Sequence, residues 1–184
     1  MLARKILTTT FAVCMAAGPA LAQNEDDGEP GPEHRLLSRL TGDWEVHSRP
    51  PGATDVLARP TGSATAGTLL GGRFLQVELT STGGPVTAAR YTFGFDRRHG
   101  RYTVVAMDNS GTYWVAATGR SDNGRIVMYG SDDDPYMAAM GIEKEFAIVL
   151  DLTEENRVVI ETLFIDNRTE ARAEIPFMAF ELRR

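Results

Sequence analysis

The chain has 184 residues, 42% of them hydrophobic, with a formal net charge of −6 and one cysteine. That length suits a single domain with a real core, and one thiol excludes a disulfide framework within the chain. An acidic chain without a basic run is also a poor partner for nucleic acid or anionic lipid.

Residues 1–22 predict a signal peptide. Arg4 and Lys5 supply the positive start, Ile6 to Ala17 is mostly apolar or small, and Ala20-Leu21-Ala22 offers a small-x-small cleavage pattern before Gln23. The stretch is too short and too interrupted, by Thr8–Thr10, Gly18 and Pro19, to serve as a stable membrane anchor. Cys14 raises a lipoprotein reading, but Val13 is bulky where that cut needs a small residue, so cleavage after Ala22 is preferred. Losing Arg4 and Lys5 takes the formal charge from −6 to −8 and leaves no cysteine, hence no thiolate metal site or cysteine nucleophile. The expected location is exported, periplasmic or secreted.

Residues 23–31 are acidic and rich in Gly and Pro, which predicts a flexible leader to one domain over 32–184. Pro32 suits the first position of a helix, Leu36, Leu37 and Leu40 form one apolar stripe, and Gly42 ends it. Strands follow. Trp44 and Val46 share a face opposite Glu45 and His47. A long Pro/Gly/Ala stretch precedes Arg73 to Leu79, where Leu75, Val77 and Leu79 alternate. Tyr91, Phe93 and Phe95 form the next inward set, and the β-branched run Tyr102–Met107 predicts a strand buried on both faces. Further strands are expected at Thr112–Thr118, Arg125–Tyr129, Phe146–Leu152, around Val158–Phe164, and at Met178–Leu182.

About nine or ten strands with hairpin-length gaps, and no helix long enough for a parallel crossover, predict an all-β, single antiparallel up-and-down β-barrel with a short N-terminal helix. Closure removes exposed sheet edges, and barrels of this size are either filled by side chains or hold one small ligand. A two-sheet sandwich is the rival arrangement.

Four blocks carry a family resemblance. They are Gly31 to Val46, Leu70-Gly-Gly-Arg-Phe-Leu75, Gly94-Phe-Asp96 with Tyr102 and Asp108-Asn-Ser-Gly111-Thr, and the loop from Asp134-Pro-Tyr-Met to Gly141. Together they resemble the bacterial domain-of-unknown-function family numbered fifteen seventy-nine. The resemblance implies a lipocalin-like (calycin-type) barrel with an N-terminal helix and no established activity. Gly42-Asp-Trp44 also resembles the lipocalin start motif. One departure is Ala106, where the family pattern leads one to expect an aromatic; if that position lines a cavity, the cavity differs here.

Few residues offer chemistry. His34 lies on the shoulder of the helix stripe, read either as a fixing hydrogen bond or as a proton donor or acceptor at the barrel mouth. Arg73 shares parity with Leu75 and must be paired or stacked if buried. By analogy with lipocalin-like barrels it is expected to lie on Trp44 as a cation–π clasp; the alternative is an anchor for a ligand carboxylate or phosphate. Asp108 closes a strand and serves either its turn or as a general base. Asp132-Asp133-Asp134 lacks the spacing of a calcium loop, and Met137 and Met140 offer either an adaptable lid or wall packing. Asn167-Arg-Thr169 fits a glycosylation sequon in an expected turn. No nucleophile elbow, phosphate loop or HExxH motif occurs. No metal or cofactor is expected, and haem is disfavoured because His47 has outward parity and His99 sits in a turn.

The leading functional reading is a non-enzymatic exported barrel that binds a small apolar ligand, lined by Trp44, Tyr91, Phe93 and Trp114 with Arg73 as polar anchor. The alternatives are a barrel enzyme (isomerase or hydrolase) using His34 and Asp108, or a protein-interaction module with a packed barrel. Nothing in the chain sets its oligomeric state.

Overall fold

The computed structural model describes residues 28–133, 135, 139, 144–166 and 172–184. The signal peptide, most of the acidic leader, Met137, Met140 and the Asn167 sequon lie outside the described residues. Helix α1 (Pro32–Ser38) is followed by ten strands: β1 (Gly42–Arg49), β2 (Gly62–Leu69), β3 (Phe74–Ser81), β4 (Ala88–Asp96) and β5 (Arg101–Asp108), then β6 (Trp114–Asp122), β7 (Arg125–Asp132), β8 (Lys144–Asp151), β9 (Arg157–Asp166) and β10 (Ala173–Arg183). Each pairs antiparallel with its chain neighbours, and β1 pairs with β10 to close the barrel. The sandwich alternative is therefore ruled out.

Strand β2 is the element that sequence reading passes over. Its Gly-Ser-Ala-Thr-Ala-Gly run carries little hydrophobicity, yet Ala64 and Ala66 point inward and are buried while Ser63 and Thr65 face out. Small side chains belong there because Ala64 and Ala66 sit opposite Trp44 and Gly42 on β1. The strand buried on both faces is also different from the one expected. On β5 the outward Met107 is exposed, whereas on β8 the inward Phe146, Ile148 and Leu150 and the outward Ala147 and Val149 are all buried. Ala147 and Val149 pack with Leu163 and Ile165 in a second apolar cluster outside the barrel.

The helix closes one end. Leu37 and Leu40 are buried there, and the Trp44 indole N–H donates to the Leu40 carbonyl at 2.7 Å. Above this floor, Val46, Val77, Phe93, Ile126, Leu150 and Ile160 fill the barrel axis with fully buried side chains. This dense half has the packing of an ordinary core.

The other end differs. Under the β3–β4 connection, Ser48 and Ser81 turn their hydroxyls inward and bond each other at 2.5 Å, with Thr61 completing the set. Val86, from the same connection, is buried beside them. The β1–β3 side of that end is sealed. What remains open lies toward β4–β10.

Candidate ligand-binding site

The open side forms a cavity of about 220 Å³ at the end of the barrel opposite α1. Period-two alternation puts Tyr91, Ala106, Val115, Phe146, Ile148 and Phe164 on its wall. β10 adds an irregularity. Its register against β9 shifts between Pro176 and Met178, so both Phe177 and Met178 reach the cavity, and Phe177 meets the Phe164 ring at 4.7 Å. Such a bulge re-aims a side chain that strict alternation would send outward.

Polar groups gather at the rim. Asp108, Asp132 and Lys144 end or begin their strands with inward parity and line the opening. Lys144 bonds Asp132 at 3.2 Å and lies 5.7 Å from the Phe164 ring centre, so its charge is held locally. Asp108 accepts from the Ser110 backbone N–H at 2.8 Å and from the Ser110 hydroxyl, both through Oδ1. Tyr91 is 4% exposed and stacks on Phe93 at 5.9 Å. Burial, with the Asp108 charge adding to it, pushes the Tyr91 hydroxyl far above its ordinary 10.0, which keeps it protonated and able to donate. A wider, open hollow of about 530 Å³ crosses the outer wall of β2–β5, where Ser63, Thr65, Glu78 and Arg90 line it together with Met107 and Asp108.

The residues singled out from sequence separate widely. Tyr91 lines the cavity, while Phe93 lies one step deeper in the packed core. Trp44 is 3% exposed at the helix end and does not line the cavity. Trp114 corrects the sequence expectation: it is 64% exposed and points away from the interior, because Val115 and Ala117 take the inward positions of β6. Arg73 is corrected too. It precedes β3, follows Gly71 and Gly72 in a positive-φ turn, and its guanidinium bonds Glu29 at 3.1 Å and the Leu70 carbonyl. The clasp on Trp44 is made instead by Arg184, whose guanidinium carbon sits 3.8 Å from the indole centre.

His34 and Asp108 do not converge. His34 meets Phe95 edge-on at 6.1 Å, whereas Asp108 is registered with Ala89 at the opposite end of β4. Six strand residues separate those levels, about 20 Å. His34 is buried and its Nδ1 accepts the Gly31 N–H at 3.0 Å, which places the ring proton on Nε2. His47 does point outward, but it is covered, and its Nδ1 lies 3.0 Å from the Leu57 carbonyl of the β1–β2 connection. Lys144, Phe164 and Phe177 are cavity residues that sequence reasoning missed. Phe164 was legible from alternation, and Pro176, a residue that strands admit mainly at edges or bulges, marks the irregularity that adds Phe177.

A helix-floored, ten-strand antiparallel barrel with an arginine over a tryptophan at the closed end and an apolar opening at the other is a lipocalin-like barrel. The chain belongs to the family described as Protein of unknown function (DUF1579), whose model matches residues 29–184. No curated protein matches it significantly.

Proposed function

We propose that this protein carries a small, largely apolar molecule in the open end of its barrel, outside the cytoplasm. One observation supports the reading above others: the interior is packed solid at the helix end and left open, with aromatic and aliphatic walls, at the other. An apolar cavity of roughly 150 Å³ in another protein stays dry and takes up benzene. A space of about 220 Å³ therefore suits a compound of one ring or a short chain, below the usual size of drug-sized pockets. Ala106 supports this use, because an aromatic at that wall position would project into the space. Export rests on the signal-like residues 1–22.

Native mass spectrometry of the secreted protein tests the proposal, with Ala106→Phe as the blocked control. A small-molecule adduct on the wild type that Ala106→Phe abolishes is the expected result. No adduct in either protein, and no uptake of added toluene or benzyl alcohol, would overturn it. The enzyme alternative lacks a constellation, since its two candidate groups sit at opposite ends of the barrel. The interaction-module alternative requires a filled interior, which the opening opposes.

A further inference from the structure

We infer that the cavity selects, at its rim, a ligand whose polar group is a neutral or cationic hydrogen-bond donor, and that it disfavours carboxylates. The inference rests on the carrier reading above and specifies its ligand class. Three ionised side chains line the opening among the described residues, Asp108, Asp132 and Lys144, and their formal charges sum to −1. Lys144 is the one cation of the three, and it is bonded to Asp132. An incoming carboxylate would therefore meet a neutralised ammonium and an unneutralised aspartate.

Asp108 is the residue that decides the preference. Its inward parity on β5 continues the series Tyr102, Val104 and Ala106, so it stands directly above the Ala106 wall. Both of its hydrogen bonds go to Oδ1 from Ser110, and Oδ2 has no partner among the described residues. Such a carboxylate oxygen, without a partner and at the rim of an apolar space, is an acceptor for a ligand N–H or O–H. A charge-assisted bond of this kind is roughly twice as strong as a neutral one. Tyr91, across the β4–β5 pair at the level of Ala106, adds a hydroxyl that makes no hydrogen bond among the described residues. The site thus offers an acceptor at the rim, a hydroxyl one level deeper, and apolar walls around both. A benzene-sized body carrying an alcohol or amine satisfies all three.

Four probes of one shape test the inference: toluene, benzyl alcohol, benzylamine and benzoate, titrated by ligand-observed NMR at neutral pH. Benzylamine and benzyl alcohol should bind about tenfold more tightly than benzoate. Asp108→Asn should erase the advantage of benzylamine and narrow the penalty on benzoate, and Tyr91→Phe should weaken benzyl alcohol relative to toluene. Benzoate binding as tightly as benzylamine, or an order unchanged in Asp108→Asn, would overturn the head-group selection while leaving the carrier reading intact. Failure of all four probes would overturn both. Should Asp108→Asn not fold, the wild-type ranking alone decides.

Discussion

Arg184 sits over Trp44, its guanidinium carbon 3.8 Å from the ring centre, and donates to the carbonyls of Leu40 and Thr41. One guanidinium thus joins the closing strand to the helix end and caps the indole that floors the barrel. Arg184→Ala should lower stability by about 1–2 kcal/mol, read as a shift in the urea midpoint. Arg184→Lys should recover only part, because an ammonium lacks the planar face that packs on the indole. Arg73→Ala, by contrast, removes an exposed pair with Glu29 and should cost less than about 1 kcal/mol.

His34 makes stability depend on pH. Burial lowers its pKa from 6.5, Glu33 opposes that shift, and Arg97 and Arg73 reinforce it. The native state therefore favours neutral imidazole, and below about pH 6.5 the unfolded chain takes up the proton first. The His34 contribution is complete above that pH and is lost as pH falls toward the native pKa, by at most about 1.4 kcal/mol per unit. Denaturation at pH 7 and pH 5 should show the loss. His34→Gln, which keeps an acceptor for the Gly31 N–H, should flatten it.

Backbone approach sets a third expectation. A Cβ at Gly119 would collide with the Val127 carbonyl across the β6–β7 pair, whereas one at Gly67 meets nothing within 4 Å. Gly119→Ala should cost about 3 kcal/mol or more by forcing the strands apart. Gly67→Ala should change stability by less than about 1 kcal/mol, on the favourable side, since it restricts the unfolded chain. Chemical denaturation of the two variants side by side checks the contrast.

Filling the opening should stabilise the protein while it blocks binding. Ala106→Phe adds a ring to a wall that faces free space, a change commonly worth about 0.5–2 kcal/mol. A higher Tm together with lost probe uptake is the expected pair of results. A lower Tm would mean that the wall is already close-packed.

Period-two alternation was enough to find most of the barrel, because nearly every strand has one side turned to the core. Leu75, Val77 and Leu79 carry that signal, and so do Tyr91 with Phe93 and Phe146 with Ile148. It failed where size or a local irregularity outweighed hydrophobicity. β2 is lined by alanines because the tryptophan opposite occupies the space. Trp114 faces out because Val115 and Ala117, its alternating neighbours, hold the inward parity of β6. Arg73 lost its strand parity because Leu70, Gly71 and Gly72 turn through positive φ just before it. The cavity itself was legible only in part. Tyr91 and Phe146 follow from alternation, but the Ser48–Ser81 seal joins residues far apart in sequence, and Pro176 marks a bulge without telling which side chain it re-aims.

The seam between β1 and β10 joins Glu45 to Arg183 and runs to Arg49 opposite Ala179. It is the most non-local pairing in the molecule, so its loop-closure entropy makes it a slow step of folding. Before it zips, the half-built sheet presents two bare edges of unpaired backbone, which invite other chains. A truncation that removes the final strand should thus yield insoluble material instead of a smaller folded barrel.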